Sequence, residues 1–295
     1  MIEKINLQDY VQSGEGANGA SYDCLSDPDV MVKLYNMSYP LQPVYDELEV
    51  ARKVFELGIP SPEPGTLVTD GERTGIKFRR IRGKRSFSRM LSDEPERTEE
   101  FAREVARLCK GLHAVECPQG VFPDAKQQFR DMLAQITCLS PEENAFFLQC
   151  VNGMPDAATC LHGDLHIGNI ITTLPKGRPL GEPHETYFID LGYFAQGHPL
   201  IDLGMMANVC VYSTEEFIRH DMHISKAQAE EFYEYFLDEY FFAADRIAQK
   251  WFGPGADTAT VKTAIEKAYL VKSILVTFNI GSMLPETAEL IGKYL

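Results

Sequence analysis

Leu161-His162-Gly163-Asp164-Leu165-His166-Ile167-Gly168-Asn169, followed downstream by Phe188-Ile189-Asp190-Leu191-Gly192, sets three oxygen-bearing side chains beside glycines. The three are Asp164, Asn169 and Asp190, and glycine lets a backbone turn tightly where they sit. Hard oxygen ligands suit Mg²⁺, which takes one or two carboxylates and completes its shell with water or phosphate. A carboxylate spared by the metal can take a proton from an incoming hydroxyl. The plainer alternative is that these polar residues only cap and brace loops.

Upstream, Gly14-Glu15-Gly16-Ala17-Asn18-Gly19 fits G-x-G-x-x-G. A dinucleotide-binding fingerprint of that form needs an alternating strand–helix series after it. Here the chain runs into Ala20-Ser21-Tyr22-Asp23-Cys24 and a turn at Asp27-Pro28-Asp29. As a flap between two strands, Gly14, Gly16 and Gly19 would let backbone amides approach phosphates. Lys33 lies in Val30-Met31-Val32-Lys33-Leu34-Tyr35, where alternation turns it away from the layer of Val32 and Leu34. A lone strand lysine is usually solvated. Glu49 on the following helix is the expected partner that would fix the ammonium for a phosphate, with Glu47 as the competitor.

The 295 residues carry 44% hydrophobic and 24% charged side chains, enough to build a core and too apolar for a disordered chain. A formal charge of −15 argues against a nucleic acid polymer as partner, which calls for a basic footprint. It suits a cationic small molecule, although an acidic surface also serves solubility. Seven scattered cysteines without a C-x-x-C pair argue against a disulfide scaffold and for a reducing compartment. Met1–Tyr10 has no basic start leading into an apolar stretch, and the apolar runs fall short of the ~20 residues of a membrane helix. The expectation is a cytoplasmic protein with no membrane partner.

The first eighty or so residues read as strands and turns around one helix, 43–58, with Val44, Leu48, Ala51 and Phe55 on one face. Asp70-Gly71 marks a hairpin. Beyond Gly83 the pattern turns helical: Phe101, Val105, Leu108 and Leu112 recur at helical spacing, and Ser140-Pro141-Glu142-Glu143 forms a capping box. Two short β-branched runs around 175–183 read as a second hairpin, and helices resume near 200.

A glycine flap, strand Lys, helix Glu, H-x-D-x-x-x-x-N and I-D-L-G occur in that order. Through them the sequence resembles the protein-kinase-like superfamily. LHGDLHIGNII, FIDLG and HPLIDLG make it most similar to the aminoglycoside phosphotransferase/choline kinase-type family. The motifs run from Gly14 to Asp202; the last 93 residues carry none. The resemblance implies an α+β, bilobal, protein-kinase-like fold with a small β-rich nucleotide-binding lobe, 1–82, and a larger helical lobe, 83–295, for catalysis and acceptor binding. It implies that the glycine loop covers the ATP phosphates and that Lys33, held by Glu49, grips the α/β-phosphates. Arg79, Arg80 and Ile81 would offer backbone groups to adenine. Asp164 would be the base or orienter, with Asn169 and Asp190 on Mg²⁺ and His162 and Asp202 bracing the loop. Gly163 replaces the arginine of regulated protein kinases. Asp202 follows Asp190 by only twelve positions, too few for a peptide platform, so the acceptor expected is a small-molecule hydroxyl.

Two other readings stay open. A metal hydrolase could use His162, Asp164, His166, Asp190, His198 and Asp202 as nitrogen and oxygen ligands. A catalytically silent nucleotide-binding module could use the same fold. Residues 73–89 hold eight Lys/Arg and no acid, expected as a charge-balanced face. Residues 212–250 mix aromatics with acids, which reads as core plus wet face or as the wall of a cation pocket. Oligomeric state is not written in the sequence.

Overall fold

Alternating side chains in the first eighty residues build a sheet with buried residues on both faces. In this computed structural model, which describes residues 2–16 and 18–295, the strands are β1 (Glu3–Lys4), β2 (Tyr10–Gly16), β3 (Gly19–Cys24), β4 (Val30–Tyr35), β5 (Pro64–Thr69) and β6 (Thr74–Arg79). Their order is β1-β5-β6-β4-β3-β2, antiparallel except for β1 against β5. Ala17, within the glycine-rich sequence, lies outside the described residues. Helix α1 (Leu41–Glu56) joins β4 to β5. Tyr35, Leu67 and Ile76 pack with Val44 and Leu48 of α1, while Val32, Leu34 and Val68 form a second cluster with Ile5. The period of two in β4 therefore sends Lys33 to the layer of Tyr35, opposite Val32 and Leu34.

The chain divides into two compact units, and the division is discontinuous. The first comprises Met1–Arg85 and Ile170–Tyr193; the second comprises Ser86–Asn169 and Phe194–Leu295. A second lobe running unbroken from residue 83 is thus not what forms. The inserted segment is the expected hairpin, Ile170–Thr172 paired antiparallel with Thr186–Phe188. It docks on the first unit through the Phe188 amide, which donates to the Pro60 carbonyl at 2.8 Å.

The second unit is built from α2 (Phe87–Asp93), α3 (Thr98–His113), α4 (Ala125–Leu133), α5 (Pro141–Gly153), α6 (Leu200–Ala207), α7 (Glu215–Phe217), α8 (Lys226–Leu237), α9 (Ile247–Phe252), α10 (Thr258–Ile280) and α11 (Pro285–Ile291). Helix α3 buries Phe101, Val105 and Leu112 along one face. Helix α5 starts with both hydrogen bonds of the Ser140/Glu143 capping box. A strand pair that the sequence pattern did not suggest, Thr159–Leu161 with Ala195–Gly197, leads directly into His162. The longest helix, α10, packs on α6. Gly204 makes that approach possible, because a Cβ there would lie 2.5 Å from the Ala268 carbonyl group.

Replacing Gly204 by Ala is expected to cost about 2 kcal/mol by overpacking a backbone crossing. Gly111→Ala in α3, where an added Cβ meets nothing within 4 Å, should instead raise stability by about 0.5 kcal/mol through lower chain entropy in the unfolded state. Urea unfolding of the two variants against the parent measures both signs.

Candidate active site

The first unit assembles a charged cluster around Lys33. Its Nζ donates to Glu47 Oε1 at 2.9 Å and also contacts Asp190 Oδ1, a residue 157 positions away, and it lies 4.9 Å from the centre of the Tyr35 ring. Burial alone would depress the lysine, but Asp190 and Glu47 more than offset it and hold its pKa well above the ordinary value. The ammonium stays charged across the physiological range. Asp190 adopts a left-handed backbone conformation, φ 59°, and two residues on Gly192 lies against Glu47, where a Cβ would stand 3.1 Å from Oε2.

Glu49 is not the partner of Lys33, contrary to expectation. At 3.6 residues per turn it lies about 140° round the helix from Val44, whereas Glu47 lies only about 60° away on the other side. The buried stripe of α1 is Val44, Glu47, Leu48, Ala51 and Val54, with Phe55 exposed. Glu49 therefore faces solvent, where it pairs with Arg52 at 2.8 Å.

Of the expected adenine-contacting residues, two have their amides engaged within the fold. The Arg79 amide donates to Glu63 O and the Arg80 amide to Asp29 O at 2.7 Å. The Arg80 guanidinium pairs with Asp23 at 2.6 Å. Among the three, Ile81 alone keeps its amide out of these bonds. Five of the eight basic residues of 73–89 are charge-balanced: Arg73, Lys77, Arg79, Arg80 and Arg82 pair with Asp70, Glu3, Glu63, Asp23 and Asp29.

In the flap, Gly16 pairs with Gly19 across β2 and β3. Gly19 is required by the sheet itself, since a Cβ would fall 2.1 Å from the Leu34 carbonyl oxygen. At Gly14 and Gly16 a Cβ would meet only ordinary contacts, 3.5 Å and 3.9 Å. Packing of the described residues does not demand glycine at those two positions.

The second unit carries the loop His162–Asn169. Leu165 and Ile167 are fully buried and anchor it, with Asp164 partly exposed immediately before them. Asp202, on α6 and wholly buried, accepts the His162 amide at 2.7 Å, the Gly163 amide at 2.8 Å and His113 Nε2 at 3.1 Å. Burial would raise this carboxyl, but His113 and the amides hold it below its ordinary pKa. Asp202 and His162 are thus braces: His162 Nδ1 in turn accepts the Asp164 amide at 3.2 Å. Asn169 donates through Nδ2 to Asp164 O at 3.0 Å and Oδ2 at 3.3 Å, which turns its Oδ1 away from that contact as an oxygen donor.

His113 and Lys272 had no place in the sequence reading. Lys272 is buried in α10 and donates through Nζ to Gly163 O. The signal for it was present: it is the single charged residue in Ala268–Phe278. His198 is pushed down to about 4 by burial and by His113, so it is neutral at physiological pH. Among the described residues no three His, Cys, Asp or Glu side chains are placed to hold a metal ion. In 212–250, Phe232, Tyr233, Phe236, Tyr240 and Phe241 are buried, while Glu215, Glu216, Asp221, Glu230, Glu231, Glu234 and Asp238 are exposed. The aromatics there are mostly core.

Solved structures of low sequence identity share this fold. An aminoglycoside-3'-phosphotransferase of type VIII aligns over 92% of this chain and 94% of its own, at 17% identity and a TM-score of 0.58. The ADP-bound aminoglycoside phosphotransferase APH(2'')-Ib aligns over 96% and 91%, at 16% and 0.56. A putative fructosamine-3-kinase from Thermobifida fusca aligns over 96% and 91%, at 14% and 0.53. The fold is thus α+β and kinase-like. A search of curated proteins finds no match. The family model described as "Phosphotransferase enzyme family" (APH) matches residues 11–249, from the first glycine strand through the loop of Asp164 to α9, and the chain belongs to that family.

Proposed function

We propose that the protein transfers the γ-phosphoryl group of ATP to a hydroxyl of a small molecule in an Mg²⁺-dependent reaction. The observation that carries this reading is Lys33 held between Glu47 and Asp190. An ammonium fixed by two carboxylates, one of them supplied from far along the chain, is a prepared phosphate ligand. The ADP-bound relative supports use of a nucleotide.

In this mechanism Lys33 binds the α/β-phosphates. The amides of the β2–β3 flap close on the phosphate chain, and the absence of side chains at Gly14 and Gly16, unexplained by the packing around them, gives the room. Ile81 offers its backbone to the base, with Arg80 held aside by Asp23. Asp164 orients the acceptor hydroxyl and takes its proton as the oxygen attacks phosphorus and the bond to the ADP oxygen breaks. Asn169 Oδ1 and Asp190 are the donors that would hold Mg²⁺; their oxygens are of the hard type the ion takes, and two protein ligands suffice when phosphates supply others. Bound there, the ion would neutralise charge developing on the phosphoryl oxygens. The acceptor is proposed to carry amino groups. The net charge of −15 and the exposed acids of 212–250 favour a cation, and relatives sharing the fold are named for aminoglycosides. Seven free thiols, five of them buried, fit a reducing cytoplasm.

ATP consumption against a panel of aminoglycosides, amino alcohols and other hydroxylated metabolites identifies the acceptor; no turnover with any acceptor or nucleotide would overturn the reading. With an acceptor in hand, Asp164→Asn should lower kcat by about 10²–10⁴, and Asp190→Ala should abolish Mg²⁺-dependent transfer.

Glu47→Gln should weaken productive nucleotide binding by about tenfold, the scale of one charge-assisted contact, while Glu49→Gln leaves it unchanged. Nucleotide titration of both variants checks the assignment of Glu47 as the partner of Lys33.

A further inference from the structure

Lys272 is 3% exposed, on the side of α10 that faces α6 and the His162–Asn169 loop. Ala268, one helical turn earlier, is the residue whose backbone meets Gly204. Side chains four apart share a helix face, so the close α6–α10 crossing delivers the Lys272 stem toward the loop that Asp202 holds. Its Nζ ends 5.5 Å from the centre of the Phe129 ring and on the carbonyl of Gly163.

That carbonyl belongs to the peptide unit joining Gly163 to Asp164. The other edge of the same unit, the Asp164 amide, is held by His162 Nδ1. The preceding peptide is held at the Gly163 amide by Asp202. With Gly163 at φ 78°, a conformation that only glycine adopts cheaply, rotation of the plane carrying Asp164 is blocked from both sides. Among the described residues the only hydrogen bond of the Lys272 ammonium goes to Gly163, while Asp164 and Asp202 are the charges that act on it. Burial depresses the Lys272 pKa, and the two carboxylates recover part of that loss. A buried cation resting on one carbonyl is a costly brace, and an apolar side chain of equal volume would stabilise the fold as well or better.

We infer that Lys272 is a positioning residue for phosphoryl transfer, fixing the Gly163–Asp164 peptide so that the Asp164 carboxylate meets the acceptor hydroxyl in one orientation. This rests on the reading of Asp164 as the acceptor-orienting residue. Misalignment at a reacting group lowers turnover far more than it lowers binding.

The test compares Lys272→Met, which removes charge and donor at similar volume, with Lys272→Gln, which restores a donor without charge. Three readings are taken on the full-length protein: steady-state kinetics, thermal unfolding and hydrogen exchange of the His162–Asn169 amides. The expected result for Lys272→Met is a kcat about 30-fold lower, KM for ATP within about twofold, an unfolding midpoint equal to or above the parent, and faster exchange confined to the loop. Lys272→Gln should recover part of the kcat and of the protection. If Lys272→Met does not fold, Lys272→Gln with the same readings decides. A kcat within about twofold of the parent in the folded variant, or loop exchange unchanged, overturns the inference. Should the parent transfer phosphate to nothing, the functional reading fails by itself, and the exchange data still report whether Lys272 holds the Gly163–Asp164 peptide.

Discussion

A lysine cannot be taken out of water on a strand unless its charge is met, and in this protein the demand of Lys33 organises the first unit. Two carboxylates meet it, Glu47 and Asp190. Glu47 is local, delivered by the helix that covers the sheet, and it occupies a position in the apolar stripe of α1 that a hydrophobic residue would otherwise fill. Asp190 is remote, so the chain must leave the first unit, build the loop of Asp164, and return as the hairpin Ile170–Phe188 before departing again. The left-handed backbone at Asp190 and the glycine at 192 belong to the same requirement. One brings the carboxylate round, and the other leaves room for Glu47. Removing either carboxylate would leave a partly buried charge incompletely compensated, which destabilises the unit.

The second unit follows the same logic with the sign reversed. A buried carboxylate there is Asp202, and its compensation is mostly backbone: two consecutive amides of the loop and a histidine that itself touches the Tyr240 hydroxyl at 2.8 Å. A carboxylate receiving three donors stays ionised and fixes them in place. Lys272 then holds the next carbonyl. The loop is thereby defined by groups on α3, α6 and α10, so the precision of Asp164 depends on helix packing that begins at Gly204 against Ala268. Positioning of this kind is what a transfer reaction with little covalent chemistry of its own requires.

Much of this was legible in the residues, and what was missed has a physical reason. The orientation of Lys33 followed from a period of two, the hairpins from Asp70-Gly71 and the β-branched runs, and the start of α5 from its capping box. The choice of Glu49 over Glu47 ignored angular position on the helix, which Val44, Leu48 and Ala51 already defined. The return of 170–193 to the first unit was not readable, because discontinuity is a property of contacts rather than of composition. Short motifs describe loops whose backbone must take unusual shapes, and those shapes restrict residue type. A helix that supports a loop from behind needs only the right face, and almost any apolar pattern supplies one.

That difference explains why the last 93 residues carried no recognisable motif and yet hold a residue as consequential as Lys272. Apart from the close crossing at Ala268, α10 is constrained locally by helix formation and burial, so Lys272 stands out only as an exception. An isolated lysine among Leu270, Val271, Ile274 and Leu275 has no stabilising reason to be there. Tolerating it implies a return elsewhere, and among the described residues the acceptor it finds is the carbonyl beside Asp164. Burial that runs against stability in the midst of a well-packed helix is therefore a better guide to the functional side of α10 than its composition.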